Sequence, residues 1–149
     1  MRLIRRLLAL SFGDWRDHLA AQRALIRAEW RMRRRPIGGL LNQWTSPAPL
    51  PTEANSAQQE RAVALGAAVR RVAMYGVPRS QCLARSLAIC ELLEEHGIRG
   101  ARLRIGVQPT EVSISAHAWV ELQGAIIGDT DEHVGAFHPL ANASGGAKR

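Results

Sequence analysis

The spacing of apolar residues changes period once along this chain, near residue 101, and that change restricts the fold more than any other feature. Before it, apolar positions recur every three to four residues; after it, they alternate. Leu103, Ile105 and Val107 alternate with Arg102, Arg104 and Gly106, which predicts a half-buried strand, and Gln108 to Glu111 turns the chain back. A second strand runs from Val112 to Glu121, with Ile114, Ala116, Ala118 and Val120 on one face and Ser115, His117, Trp119 and Glu121 on the other. A third follows from Ala125 to about Thr130. Helices first and hairpin-linked strands afterwards predict an α+β domain with an antiparallel sheet.

The helical half divides at Gly and Pro. A first helix is expected from about Asp14 to Arg35, with Trp15, Leu19, Ile26 and Trp30 as its apolar face and Arg16, Arg23, Arg27 and Arg34 mostly away from it. Asn42 to Ser56 carries Pro47, Pro49 and Pro51, which remove backbone donors, so it reads as a connector. A second helix, about Ala57 to Met74, offers Val63, Leu65, Ala68, Val69 and Val72 to the core and ends at Gly76-Val77-Pro78. Ser80 is a good N-cap for a third helix from Gln81 to His96, which Gly97 stops; Leu83, Leu87, Cys90 and Leu92 or Leu93 make its buried stripe. Ala141 to Arg149 is expected to be a disordered tail. The domain division is thus a basic arm and connector (1–56), a core (57–140) and a tail (141–149).

At 149 residues the chain fits one domain that needs neither disulfide nor metal to fold. Cys82 and Cys90 are eight residues apart in one helix, too far to bond to each other and at no zinc-ligand spacing, so a reducing cytoplasm fits best. Arg5 and Arg6 interrupt the apolar start, which argues against a signal peptide, and no stretch is long enough to span a bilayer. Residues 1 to 35 hold ten arginines against Asp14, Asp17 and Glu29, 10 − 3 = +7, which is the whole net charge. Such a surface suits an acidic peptide or, peripherally, an anionic membrane; nucleic acid is not expected, because no recognition module is present. The arm reads equally as a solvated helix packed on the core.

Three residues carry the chemistry. Cys82 opens a helix, His117 lies 35 residues later on a strand, and Asp129 another 12 beyond. A thiol near a helix start feels the partial positive charge of unpaired N–H groups, which favours the thiolate; His117 completes a thiolate-imidazolium pair, and Asp129 fixes its orientation. The Cys82 N–H, with Gln81, is a candidate donor to an oxyanion, and Arg85 and Trp119 are candidate substrate contacts. Each alone has a bland reading, a buried thiol or a packed imidazole; the combination in this order favours catalysis. Cys90 is expected to be packing. His18, His96, His133 and His138 lack partners at metal-ligand spacing and read as surface residues, His96 at a helix end. No metal or cofactor is called for.

Which acid faces His117 depends on the hairpin. A three-residue loop Leu122-Gln123-Gly124 pairs Glu121 with Ala125 and His117 with Asp129. A two-residue loop pairs His117 with Thr130 and turns Asp129 to the other face. Asp131 is the fallback, reached diagonally.

From Val69 to about Leu140 the chain also resembles the small stand-alone leader peptidases of lasso-peptide biosynthesis, which have a transglutaminase-like, papain-like core. The resemblance rests on Arg70-Arg71-Val72-Ala73, Cys82-Leu83-Ala84-Arg85-Ser86-Leu87, Leu92-Leu93-Glu94-Glu95-His96-Gly97-Ile98, Leu103-Arg104-Ile105-Gly106-Val107, Ala116-His117-Ala118-Trp119-Val120-Glu121 and Phe137-His138-Pro139-Leu140. That family usually has Pro before the Cys, where this chain has Gln81. The resemblance implies a Cys-His-Asp peptidase that cuts a ribosomally made precursor between leader and core. It also implies a separate leader-recognition protein and an ATP-dependent lasso cyclase as partners. Acyl transfer to an amine by the same triad, and a non-catalytic peptide-binding subunit, are the alternatives.

Overall fold

The computed structural model describes residues 12–45, 55–75 and 81–140. In chain order these form α1 (Phe12–Arg34), α2 (Ile37–Thr45), α3 (Ser56–Tyr75), α4 (Cys82–Glu95), β1 (Arg102–Pro109), β2 (Ile114–Leu122), β3 (Ala125–Ile127), α5 (Asp131–Gly135) and β4 (His138–Pro139). The strands make one antiparallel sheet in the order β3-β2-β1-β4. The expected α+β architecture is therefore present. The prolines of the connector, the Gly76-Val77-Pro78 stop, Ser80 and the tail from Ala141 lie outside the described residues.

The central element is α4. It packs against α1, α3, β1 and β2, and Ala84, Ser86, Leu87, Ala88, Ile89, Cys90, Leu92 and Leu93 are all buried. A helix apolar on most of its circumference has to be covered from several sides, and here it is. Its end is a Schellman turn: Ile98 N–H donates to Leu93 O, Gly97 N–H to Glu94 O, and Gly97 takes φ +72.

The face that α1 buries differs from the expected one. Ala21, Ala24, Leu25 and Ala28, at i, i+3, i+4 and i+7, enter the core, whereas Trp15, Leu19, Ile26 and Trp30 are 45–61 % exposed. At about 100° per residue the two stripes lie on roughly opposite sides of the helix. Small side chains let α1 approach α3 and α4 closely, and that packing outweighs side-chain size in choosing the face. Val63 of α3, expected in the core, is likewise exposed, whereas Leu65, Ala68 and Val69 are buried as expected, together with Ala62, Gly66 and Ala73. Ion pairs join the helices where the arginines turn inward. Arg31 Nη1 donates to Glu91 Oε1, Arg27 Nη2 to Glu95 Oε1 at 2.5 Å, and Arg61 forks onto both oxygens of Asp17 at 2.5 and 2.6 Å. Burial pushes the Glu91 carboxyl up, and the Arg31 and Arg27 charges pull it back. Arg27, expected to lie away from the core face, thus joins Arg31 in holding α1 onto α4.

The short helix α2 takes in Asn42 to Thr45, which were expected to belong to the connector; its Leu41 and Trp44 pack against the core. Among the described residues, no helix is long and apolar enough to cross a membrane.

Candidate active site

Cys82 is the first residue of α4. Gln81, extended at φ −70 and ψ 164, is the N-cap and makes no side-chain capping bond. The helix expected from Gln81 therefore starts one residue later, at Cys82 itself. There the N–H groups of Cys82, Leu83 and Ala84 have no intrahelical carbonyl, so positive partial charge gathers around the thiol and donors stand ready for an oxyanion. Cys82 is a free, half-buried thiol; Cys90 is fully buried, and burial, with the Glu91 and Glu94 charges, pushes its thiol far up. Only the first is placed to react. α4 packs on β2, the strand that carries His117, although no hydrogen bond joins Cys82 to His117.

His117 is 6 % exposed. Rings surround it: Trp119 stacks at 6.2 Å between centroids, Phe137 tilts at 5.0 Å and His133 at 4.4 Å. Trp119 in turn lies over Gly106 of β1, directly opposite His117, where an added Cβ would come within 2.8 Å of the indole. Its Nε1–H donates to Glu121 Oε1 at 3.1 Å, and Arg104 holds the other oxygen of Glu121 at 2.9 Å. Trp119, expected at the substrate surface, is thus buried with its donor engaged and serves as the wall behind His117.

Asp129 Oδ2 stands 2.7 Å from His117 Nε2. It arrives by a route other than the expected one. The hairpin loop is the two-residue Gln123-Gly124, at φ 50 and φ 83, and Leu122 pairs with Ala125, not Glu121. In an unbroken ladder that register would turn Asp129 to the far face. The ladder stops at Ile127, because Gly128 takes φ +77 and redirects the chain. Gly128 is also pressed between Gly66 of α3 and Ile89 of α4: a Cβ there would meet Ile89 Cδ1 at 2.4 Å and Gly66 O at 3.2 Å. Two glycines at one crossing deliver Asp129 to His117.

The Asp129 carboxylate has three donors. Thr130 N–H and His133 Nδ1 both reach Oδ1, at 2.9 and 3.0 Å, while His117 holds Oδ2. Burial pushes this carboxyl up, but the hydrogen bonds from His133, His117 and Thr130 outweigh it and hold it below its ordinary value. An ionised carboxylate only accepts, so both imidazoles donate: His117 is the Nε2–H tautomer and its Nδ1 keeps the lone pair a base needs. Asp131 lies exposed in the first turn of α5 and makes no bond to His117. Gln81 is exposed at the helix start, and Arg85 is half-buried one turn into α4.

His133, expected at the surface without partners at metal-ligand spacing, is exposed as expected, yet its ring bonds Asp129. The signal was present in Asp129 and His133 at i, i+4 with Thr130 between them as N-cap, its Oγ1 accepting from His133 N–H at 3.2 Å. His117, Asp129 and His133 also have potential metal-ligand atoms within 4.8 Å of one another. His117 Nε2 and His133 Nδ1 are engaged in the hydrogen bonds to Asp129, so a cation at those two atoms would bind only by displacing both protons.

The sequence matches the family model of the transglutaminase-like superfamily over residues 23–142, from within α1 to beyond β4. The chain belongs to that superfamily. No curated protein and no solved structure matched it. Membership points to cysteine-nucleophile chemistry of the peptidase or acyl-transfer kind, the chemistry for which a helix-start thiol and an Asp-anchored imidazole are suited.

Proposed function

We propose that this protein is a cysteine endopeptidase that removes the leader from a ribosomally made lasso-peptide precursor, in the cytoplasm where its two free thiols stay reduced. The observation that carries the catalytic part is the 2.7 Å bond from His117 Nε2–H to Asp129, which leaves Nδ1 as the base. The leader-peptidase part rests on the sequence resemblance from Val69 to Leu140.

In this reading the Cys82 thiolate attacks the scissile carbonyl, and the developing oxyanion takes hydrogen bonds from N–H groups at the start of α4. His117, protonated at Nδ1, gives that proton to the departing amine of the core peptide. The leader is left as a thioester on Cys82. His117 then removes a proton from water, which attacks the thioester and releases the leader acid and the free thiol. The freed core amino terminus is the group that a separate cyclase would join to an Asp or Glu side chain.

A leader-recognition protein, or the leader itself, would dock on the outward face of α1. Exposed Trp15, Leu19, Ile26 and Trp30 form an apolar strip there, Arg34 lies 4.3 Å over the Trp30 ring, and Arg16 and Arg23 run alongside. Apolar anchors flanked by cations fit an acidic amphipathic partner.

The test is precursor processing followed by mass spectrometry. Wild type and Cys90→Ala should release leader and core, whereas Cys82→Ala should release neither and iodoacetamide should label Cys82 alone. A Cys82→Ala protein that cuts at the wild-type rate would end the reading. An added amine separates hydrolysis from acyl transfer: a leader amide in place of the leader acid assigns the second.

A further inference from the structure

We propose that His133 is a positioning residue for the base: its Nδ1–H anchors one oxygen of Asp129 so that the other is held for His117. This rests on the assignment of His117 as the base.

A carboxylate hung on an aspartate side chain rotates over a broad range, and either oxygen can face a single donor. At Asp129 the rotation is blocked from the far side. Oδ1 receives Thr130 N–H at 2.9 Å and His133 Nδ1–H at 3.0 Å, and Oδ2 is left to His117 Nε2–H at 2.7 Å. His133 can do this because its own place is fixed. It sits in the single turn of α5, whose N-cap Thr130 accepts from His133 N–H, and Phe137 meets its ring edge-on at 5.7 Å. The same Phe137 packs on His117, and the two imidazole centroids are 4.4 Å apart. One side of the His133 ring is thus committed to the site while the residue stays about half exposed, at 52 % of its side chain. Of the hydrogen bonds that hold the Asp129 carboxyl down against burial, the one from His133 ranks first. An Asp with two oriented imidazoles is a stiffer anchor than the Cys-His-Asp set alone supplies.

Asparagine places its amide nitrogen where Nδ1 stands in histidine, and glutamine places it one bond farther out. Three variants, His133→Ala, His133→Asn and His133→Gln, therefore separate hydrogen-bond donation from bulk. Two readouts are taken on the full chain: kcat and KM for precursor cleavage, and the ring-nitrogen NMR signals of His117, which report its tautomer without substrate. His133→Ala and His133→Gln should lower kcat about tenfold, the low end of what a group behind an orienting residue contributes. KM should not change, and His117 should drift from the Nε2–H tautomer to a mixture. His133→Asn should recover most of both losses. If His133→Ala does not fold, the Asn and Gln variants decide between themselves. Wild-type kcat and His117 signals in His133→Ala, or an Asn variant as impaired as the Gln one, would overturn the proposal. The NMR arm keeps its meaning even if Cys82→Ala proves active and the peptidase reading falls.

Discussion

Replacing Gly128 by Ala should destabilise the protein and disarm it together, and its size can be worked out from the crossing it occupies. At φ +77 an L-residue carries left-handed strain of about 1–2 kcal/mol, partly offset by roughly 0.4–1 kcal/mol of entropy lost from the unfolded chain. The new Cβ would also stand 2.4 Å from Ile89 Cδ1, where carbon atoms prefer about 3.5–4.0 Å, inside a core with Ile89 only 4 % exposed. Overpacking of this kind costs about 1–3 kcal/mol. The expected loss is therefore about 1–5 kcal/mol, read by urea unfolding followed through tryptophan fluorescence. Gly124 supplies the control: it has φ +83 but nothing within 4 Å of an added Cβ, so Gly124→Ala should show the strain without the clash. Ile89→Val removes the clashing methyl, costs about 0.5–1.5 kcal/mol alone, and should recover part of the loss when combined with Gly128→Ala. Cleavage should fall in Gly128→Ala and not in Gly124→Ala, since only the first moves Asp129. Equal losses in the two alanine variants, with strict additivity in the double variant, would refute the close crossing as the device that places the acid.

Asp129→Asn should lower kcat well beyond tenfold and Asp131→Asn within about twofold, because only Asp129 bonds His117; the reverse order in steady-state assays would move the acid to Asp131. The same lowered carboxyl predicts a pH effect. Asp129 contributes stability that is complete above the unfolded carboxylate pKa and is lost as pH falls through its lower folded value, so the acid arm of the unfolding profile should flatten in Asp129→Asn. On α1, Arg16, Arg23 and Arg34 changed to Glu should raise KM for precursor, more steeply at low salt, with Cys82 still alkylated; unchanged KM at low ionic strength would reduce the strip to scaffold. Arg27 and Arg31 are unsuited to that test, since they hold Glu95 and Glu91 and their reversal would loosen α1 itself.

Period and punctuation carry the element order, and they do so for a physical reason: α3, α4, β1 and β2 bury apolar residues against several neighbours, so each leaves its spacing in the sequence. Faces and registers are harder, because they are settled by what is missing. α1 turns Ala21, Ala24 and Ala28 inward, and a stripe of alanines looks weaker than one of tryptophans until a neighbouring helix is close enough to use it. The hairpin hides its register in Gln123, a non-glycine residue at positive φ that a reading from glycine alone passes over. Asp129 comes to His117 in either account, yet the sequence reading reaches it through a longer loop, whereas the chain uses a shorter loop and then breaks the strand at Gly128. The shorter loop and the break at Gly128 offset each other, and the break is not visible without Gly66 across the gap. His133 escapes for a related reason. Its partner, Asp129, lies four residues back, just before a one-turn helix too short to leave a period, so only the Asp129-Thr130 capping pattern marks it. The parts of the site that bond directly to His117 follow from residue type and order; the parts that aim them follow from close approach of backbone, which a sequence records only as glycine.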